Sequence, residues 1–263
     1  MTAPTARRPL PPSTASGPPR PIRPSWATAV LVANLVAQVA IVVTGGLVRL
    51  TGSGLGCPTW PQCVPGSYTP VVQQPQGIHK YIEFGNRTLT GAIGLIALAA
   101  LVAVVVLVRR DRRPRRLVVL GAVPLLGVVV QAVLGGITVL THLNPFTVAA
   151  HFLVSSAMVA ASVVLLHRVG EGDAAPSAVV HRDVRRLVGA LAALTAVVVV
   201  LGTVVTGSGP HSGDADQPAR FGLDPRSVSG CTPTPCCSGS ASWSPCSSRC
   251  GSPTHRAPSA ARP

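Results

Sequence analysis

Residues 77–116 read "GIHKYIEFGNRTLTGAIGLIALAALVAVVVLVRRDRRPRR". A rim of ionisable residues (His79, Lys80, Glu83 and Arg87) gives way to an uncharged apolar run, Ala92–Val108. The run ends in a block that is almost solid arginine. A helix needs about 20 predominantly apolar residues to cross the hydrocarbon core of a bilayer. A charge at mid-bilayer costs roughly 2.5–3.5 kcal/mol on insertion scales, so charges gather at helix ends and those inside a span mark function. The stretch therefore predicts a membrane-crossing helix with a basic rim at one end and a chemically equipped rim at the other. It also asks what His79, Glu83 and Arg87 do there.

The rest of the chain agrees with that reading. Apolar runs predict spans at Trp26–Leu50, Ile82–Val108, Leu117–Leu140, Thr147–His167 and Leu187–Thr206. Of the 263 residues 47% are hydrophobic and only 11% charged, against about 25% charged in soluble domains. Mean hydropathy is +0.45. The net charge of +14 does not point to nucleic acid, because the arginines lie in short runs beside the spans.

Those runs alternate. Residues 1–25, the 109–116 connector and the 168–186 connector are arginine-rich, whereas 51–78 and "THLNPF" at 141–146 hold no Lys or Arg. The positive-inside rule then predicts a multi-pass protein of the cell membrane with a cytoplasmic N-terminus and an exported first loop. His79, Glu83, His142, His151 and His211 all fall at the exported face. His167 and His181 fall at the inner face, as solvated or interfacial residues. Residues 1–25 are Pro- and Arg-rich without an apolar core, so they read as a disordered tail and not as a cleaved signal.

"VRLTGSGLGC" closes the first span and "TVVTGSGPHS" the fifth, with Thr51 and Thr206 in matching places. This weak repeat suggests two halves of four helices each, the second starting at the fifth span. The predicted fold class is an all-α integral membrane protein: a four-helix transmembrane bundle plus a fifth span that begins an incomplete second bundle. The predicted organisation is a cytoplasmic tail at 1–25, the N-terminal bundle at 26–168 and a basic linker at 169–186. The start of the second bundle follows at 187–228, then an aberrant tail at 229–263.

After Val228 there is no Leu, Ile, Val, Met or Phe. Cys231, Cys236, Cys237, Cys246 and Cys250 match no regular metal-ligand spacing. Codons for Cys, Trp and most Ser begin with T, and a one-base slip makes that T the middle base of apolar codons. Re-read in this way, the tail yields a histidine followed by an apolar run of span length. A frameshift near Gly230 is therefore expected, in the gene or in its sequence.

Several residues carry the chemistry. Cys57 and Cys63, in "GLGCPTWPQC", lie in a loop predicted to be exported, where thiols oxidise; a disulfide and a pair of free thiols are both open. His151, about one turn inside the fourth span, could hydrogen-bond a neighbour or ligate haem iron. Glu83 stands four residues from both His79 and Arg87, so it could form a helix ion pair with Arg87 or serve in proton transfer. Gly45, Gly46, Gly135 and Gly136 permit close helix approach or leave space for a flat ligand. Gln131 and Thr138 can hydrogen-bond inside the bundle.

Taken together, "GGLVRLTGSGLGCPTWPQC", "IEFGNRTLTG", "QAVLGGITVLTHLNPFTVAAHF" and "VVTGSGPHSGD" resemble the haem A synthase family over about residues 26–228. The resemblance implies an eight-helix enzyme of two four-helix halves that oxidises a methyl group of haem O to the formyl of haem A. The route it implies is successive hydroxylation and then loss of water. The first half would hold the substrate haem and the second a haem b cofactor, each between paired histidines. Haem O synthase and cytochrome oxidase assembly factors are the implied partners. His151 matches the substrate-site histidine of the fourth helix, Glu83 the glutamate of an E-x-x-H-R pattern, and Cys57 and Cys63 the loop pair that is usually a disulfide.

The chain also departs from that pattern. Asn86 stands where the pattern has histidine, and an amide is a poor iron ligand. His79 is then the substitute iron ligand, or iron is held from one side, with Arg87 pairing either Glu83 or a haem propionate. As written, the chain is expected to lack the haem b site and to have little or no activity. The alternative reading is a b-type cytochrome, an electron carrier without chemistry on the haem. A transporter would need paired charges near the midplane, which the spans lack.

Overall fold

The computed structural model describes residues 26–110, 114–171, 179–214 and 217–223. Among them are five helices and no strand: α1 (Trp26–Leu50), α2 (His79–Arg110), α3 (Arg116–Leu140), α4 (Pro145–Gly170) and α5 (Arg182–Ser208). Each is long and apolar enough to cross a membrane, and the protein is a multi-pass membrane protein. The expected tails at 1–25 and 229–263, with the cysteines of the latter, lie outside the described residues.

All five predicted spans are present, and four are longer than their apolar cores. α2 continues into Arg109 and Arg110 and begins at His79, because long basic side chains extend from a helix end toward the membrane surface. α4 starts two residues early because Asn144 caps it: its side chain accepts from the Phe146 amide at 3.0 Å, and Pro145 occupies the first turn. α5 starts at Arg182, where the His181 side chain accepts from the Asp183 amide.

α1 to α4 form a ring in chain order, each packed on the next, with α4 closing back onto α1; α5 packs on α4. The short connections from α2 to α3 and from α3 to α4 make those neighbours antiparallel. At the arginine-rich end Leu31, Ala100, Val104, Leu117 and Leu165 fill the ring. A buried hydrogen bond from Asn34 to Ser162 (3.3 Å) then ties α1 to α4. Many large apolar side chains on the outside, such as Val36, Leu95, Val119 and Leu126, are exposed, as lipid-facing residues are.

At the other end, the first loop is folded over the ring. Thr51 and Ser53 leave α1 in a tight turn, and Gly54 donates to the Gly213 carbonyl at 2.8 Å. Arg49 donates from Nε to the His211 carbonyl (2.7 Å) and from Nη2 to the Thr206 carbonyl (2.8 Å). The two Thr-Gly-Ser-Gly segments seen in the sequence thus meet at one end of the fold, and α1 holds the end of α5. Leu143, buried in a left-handed turn with φ 57°, contacts both glycines of that junction: a Cβ on Gly54 or Gly213 would sit 2.8 or 3.2 Å from its Cδ1.

Candidate functional site

The ring encloses a cavity of about 760 Å³ at the loop end, reached by all five helices. That size suits a small organic ligand or cofactor. Gly45 and Gly46 line it, and a Cβ on either would meet nothing within 4 Å. These two glycines leave open space, as one of their two readings expected. Gly136 acts differently: a Cβ there would fall 2.5 Å from Trp60 Cδ2. The indole of the first loop fills that space and lines the cavity with Pro61.

The loop is held down by α2. Cys57 and Cys63 form a disulfide with a Cα–Cα distance of 4.4 Å, and both are buried. The Cys57 amide donates to Glu83 Oε2 at 2.6 Å. Arg87 donates from Nε (2.9 Å) and Nη2 (2.5 Å) to Glu83 Oε1. It also donates from Nη1 to the Thr59 carbonyl (2.9 Å) and from Nη2 to the Cys57 carbonyl (2.7 Å). Gly56 passes so close to the start of α2 that a Cβ would collide with the His79 carbonyl oxygen. Lys80, the chain's only lysine, donates to the Val71 and Val72 carbonyls at 2.7 and 2.9 Å. Much of the charged rim is therefore occupied in folding the loop over the bundle. Of the two partners foreseen for Arg87, the structure holds Glu83.

Glu83, Asn86, Arg87 and His151 all line the cavity. Glu83 is 5% exposed, and its carboxylate is fixed from both sides by Arg87 and the Cys57 amide. Asn86 Oδ1 accepts from Thr44 Oγ1 at 2.8 Å, so its carbonyl oxygen is committed to α1. His151 comes from α4, and its Nδ1 is buried with no hydrogen-bond partner. Its Cε1 lies 3.4 Å from where a Gly135 Cβ would stand. Leaving a buried imidazole nitrogen unpaired costs free energy, and such orphans mark places where a ligand completes the bonding.

His79 is not brought to this cavity. Its Nδ1 lies 2.8 Å from Ser53 Oγ, which in turn lies 2.8 Å from Thr51 Oγ1, and it is absent from the lining. The reason is helical rise: seven residues separate it from Asn86, about 10 Å along α2. His79 is thus held by the first loop and stands apart from the residues that line the cavity. His142 is exposed in the α3–α4 turn and His211 in the loop after α5, where its carbonyl serves Arg49. Among the described residues His151 is the one histidine that lines the cavity. Gln131 bonds across the bundle, from Nε2 to the His151 carbonyl (2.9 Å) and to Ser155 Oγ, whereas Thr138 bonds back to Leu134 in its own helix.

Sequence reasoning passed over Trp60, Thr44, Arg49 and Leu143. An indole in a two-cysteine loop, in a chain with a glycine pair on the third span, was a usable signal for Trp60. The others act through contacts between distant segments, for which the sequence carries no local sign.

Comparison with known proteins agrees with this architecture. A heme A synthase from Lysinibacillus sphaericus (strain C3-41) is 32% identical over 143 residues, which cover 54% of this chain and 44% of that protein. The matched region thus spans less than half the length of that relative. No solved structure matches the chain. The family model described as "Cytochrome oxidase assembly protein" matches residues 28–211, from the start of α1 to the loop that Arg49 holds, and the chain belongs to that family.

Proposed function

We propose that the chain is a haem A synthase, oxidising a methyl group on the rim of haem O to the formyl of haem A for cytochrome oxidase biogenesis. The observation that carries this is the unpaired, buried Nδ1 of His151 in a largely apolar cavity that also presents Glu83. An apolar pocket with few placed polar groups suits a porphyrin, and an imidazole is the commonest protein grip on haem iron. His151 would hold the substrate's iron in this reading, whereas Asn86, its Oδ1 already accepting from Thr44, is a poor ligand.

Turning a methyl into a formyl is a four-electron oxidation: two successive hydroxylations replace two C–H bonds with C–O bonds, loss of water from the resulting geminal diol leaves the formyl, and the electrons pass to an oxidant outside the residues described. The protons must leave a site that the membrane and the loop shield from water. Glu83 is the acid–base group for that step. Arg87 and the Cys57 amide orient its carboxylate, and the Cys57–Cys63 loop with Trp60 keeps water from the porphyrin edge. Arg87 positions Glu83.

The resemblance also implies a haem b site; no described residue is assigned to it, and the roles proposed for His151 and Glu83 do not run through it. Haem O synthase would supply the substrate, and cytochrome oxidase assembly factors would receive the product. The arginine-rich end faces the cytoplasm and the disulfide loop the exported side. An electron-carrying b-type cytochrome would use two strong axial ligands, and the described cavity offers a single histidine, so that reading is not favoured. The test is Glu83→Gln in a strain that depends on this gene for formyl haem. Haem uptake by the purified protein should persist while haem A in extracted pigment falls roughly 100-fold, the scale of a lost acid–base group. Unchanged haem A would remove Glu83 from the chemistry.

A further inference from the structure

The cavity holds more unpaired polarity than an iron grip explains. Gln38, on α1, is 4% exposed and lines the cavity, and its Nε2 has no hydrogen-bond partner. Gln131, on α3, also lines it, with Nε2 spent on the His151 carbonyl and Ser155 while its buried Oε1 has no partner. Both residues thus line the same apolar space, one with a buried donor atom unpaired and the other with a buried acceptor atom unpaired. Buried amides left this way are costly unless a ligand supplies the missing bonds.

Gln38 lies deeper than the iron grip, whereas the Gln131 amide adjoins the His151 carbonyl on the deep side, next to Ser155. His151 is six residues inside α4, about 9 Å from that helix's loop end at 1.5 Å per residue. Gln131 is nine residues from the corresponding end of α3, about 14 Å, and Gln38 is twelve residues from that of α1, about 18 Å. A porphyrin ligated at His151 would therefore point part of its rim, or a substituent on it, down toward the two amides. Around them the wall is apolar, with Ile41, Ile93, Val128 and Met158, and would accept a hydrocarbon chain.

We propose that Gln38, together with Gln131, recognises a hydroxyl group on a hydrocarbon substituent of the substrate porphyrin, and so sets its specificity. A hydroxyl oxygen accepts from Gln38 Nε2, and its hydrogen is donated to Gln131 Oε1. The inference rests on the haem A synthase reading: haem O carries a hydroxyl-bearing isoprenoid chain on its rim, whereas protohaem has a vinyl group at that place. A site built to bond a hydroxyl rejects the analogue that lacks it, because its own polar groups are then left unpaired.

The test titrates the full 263-residue chain, in detergent, with haem O and separately with protohaem, following the Soret band. The unaltered protein should bind haem O more tightly. Gln38→Met, which keeps the volume and removes the donor, should weaken haem O binding roughly fivefold to a hundredfold and leave protohaem binding unchanged, which also shows that the variant is folded. If Gln38→Met binds neither haem, Gln38→Asn, which withdraws the amide by one methylene, must show the selective loss instead. Equal affinity of the unaltered protein for the two haems, or an equal loss for both in the variant, overturns the inference and leaves the functional reading standing. Failure of the unaltered protein to bind either haem overturns both.

Discussion

At the arginine-rich end, Leu31, Val104, Leu117 and Leu165 interlock and leave no room between α1, α2, α3 and α4. At the loop end the same helices stand around a cavity of about 760 Å³. Gly45 and Gly46 there face empty space, and Gln38, Gln131 and His151 each keep a buried atom unpaired. A membrane bundle gains its stability from close packing and interhelical hydrogen bonds, not from expelling water. Although the Thr44–Asn86 and Gln131–His151 bonds still join its helices, the loop end gives up close packing contacts. In their place it has a disulfide, an arginine with four bonds to a carboxylate and two loop carbonyls, and an indole laid across Gly136. The open end is thus shaped for an occupant, and the filled end and the strapped loop hold it open.

The sharpest way to break that contrast is His151→Ala. If the cavity exists for a porphyrin, the variant should lose haem affinity by more than the roughly 10–100-fold that removing a mere supporting partner of a ligand costs, as read from the Soret titration. Its resistance to denaturation without haem should hardly change. Retained affinity would make the cavity something other than a haem site.

At the opposite end Leu165→Ala should do the reverse. Leu165 is 1% exposed, and truncating it leaves a void that should cost about 1–3 kcal/mol, read from denaturation in mixed micelles. It lies fourteen residues from His151, about 21 Å along α4, so haem affinity should hold once the protein is folded. The mildest of these changes replaces Cys57 and Cys63 together by serine. The disulfide closes a short loop, worth about 2 kcal/mol, and Arg87 independently grips the carbonyls of Cys57 and Thr59. The expected outcome is a modest loss of stability, with faster proteolysis of 51–78 and haem still bound.

The helices themselves were legible because lipid imposes a rule that the sequence must obey locally: an uncharged run of sufficient length, with arginine at alternate ends. The ends were read less well where capping rather than hydropathy decides them, as at Asn144–Pro145 and His181. In the site, His151 and Glu83 could be picked out as ionisable groups in membrane helices, and both line the cavity. His79, four residues from Glu83, is absent from that lining, because spacing along a helix says nothing of how far a cavity reaches. Gly136 was read as space for a helix or a ligand and is filled by Trp60, a contact between distant segments that no periodicity announces.

Taken alone, the sequence determined an all-helical membrane chain, the number of its spans over the described residues, and the short set of side chains able to do chemistry. Each of those follows from the free-energy penalty of putting charge or unpaired backbone into hydrocarbon, which applies residue by residue. Only the tertiary structure decided that Arg87 clamps the disulfide loop, that Arg49 fastens the end of α5, and that Gln38, Gln131 and His151, each with a buried atom unpaired, line one cavity. Those outcomes depend on which distant segments lie within about 3 Å of one another, and that distance is set by packing all the helices at once.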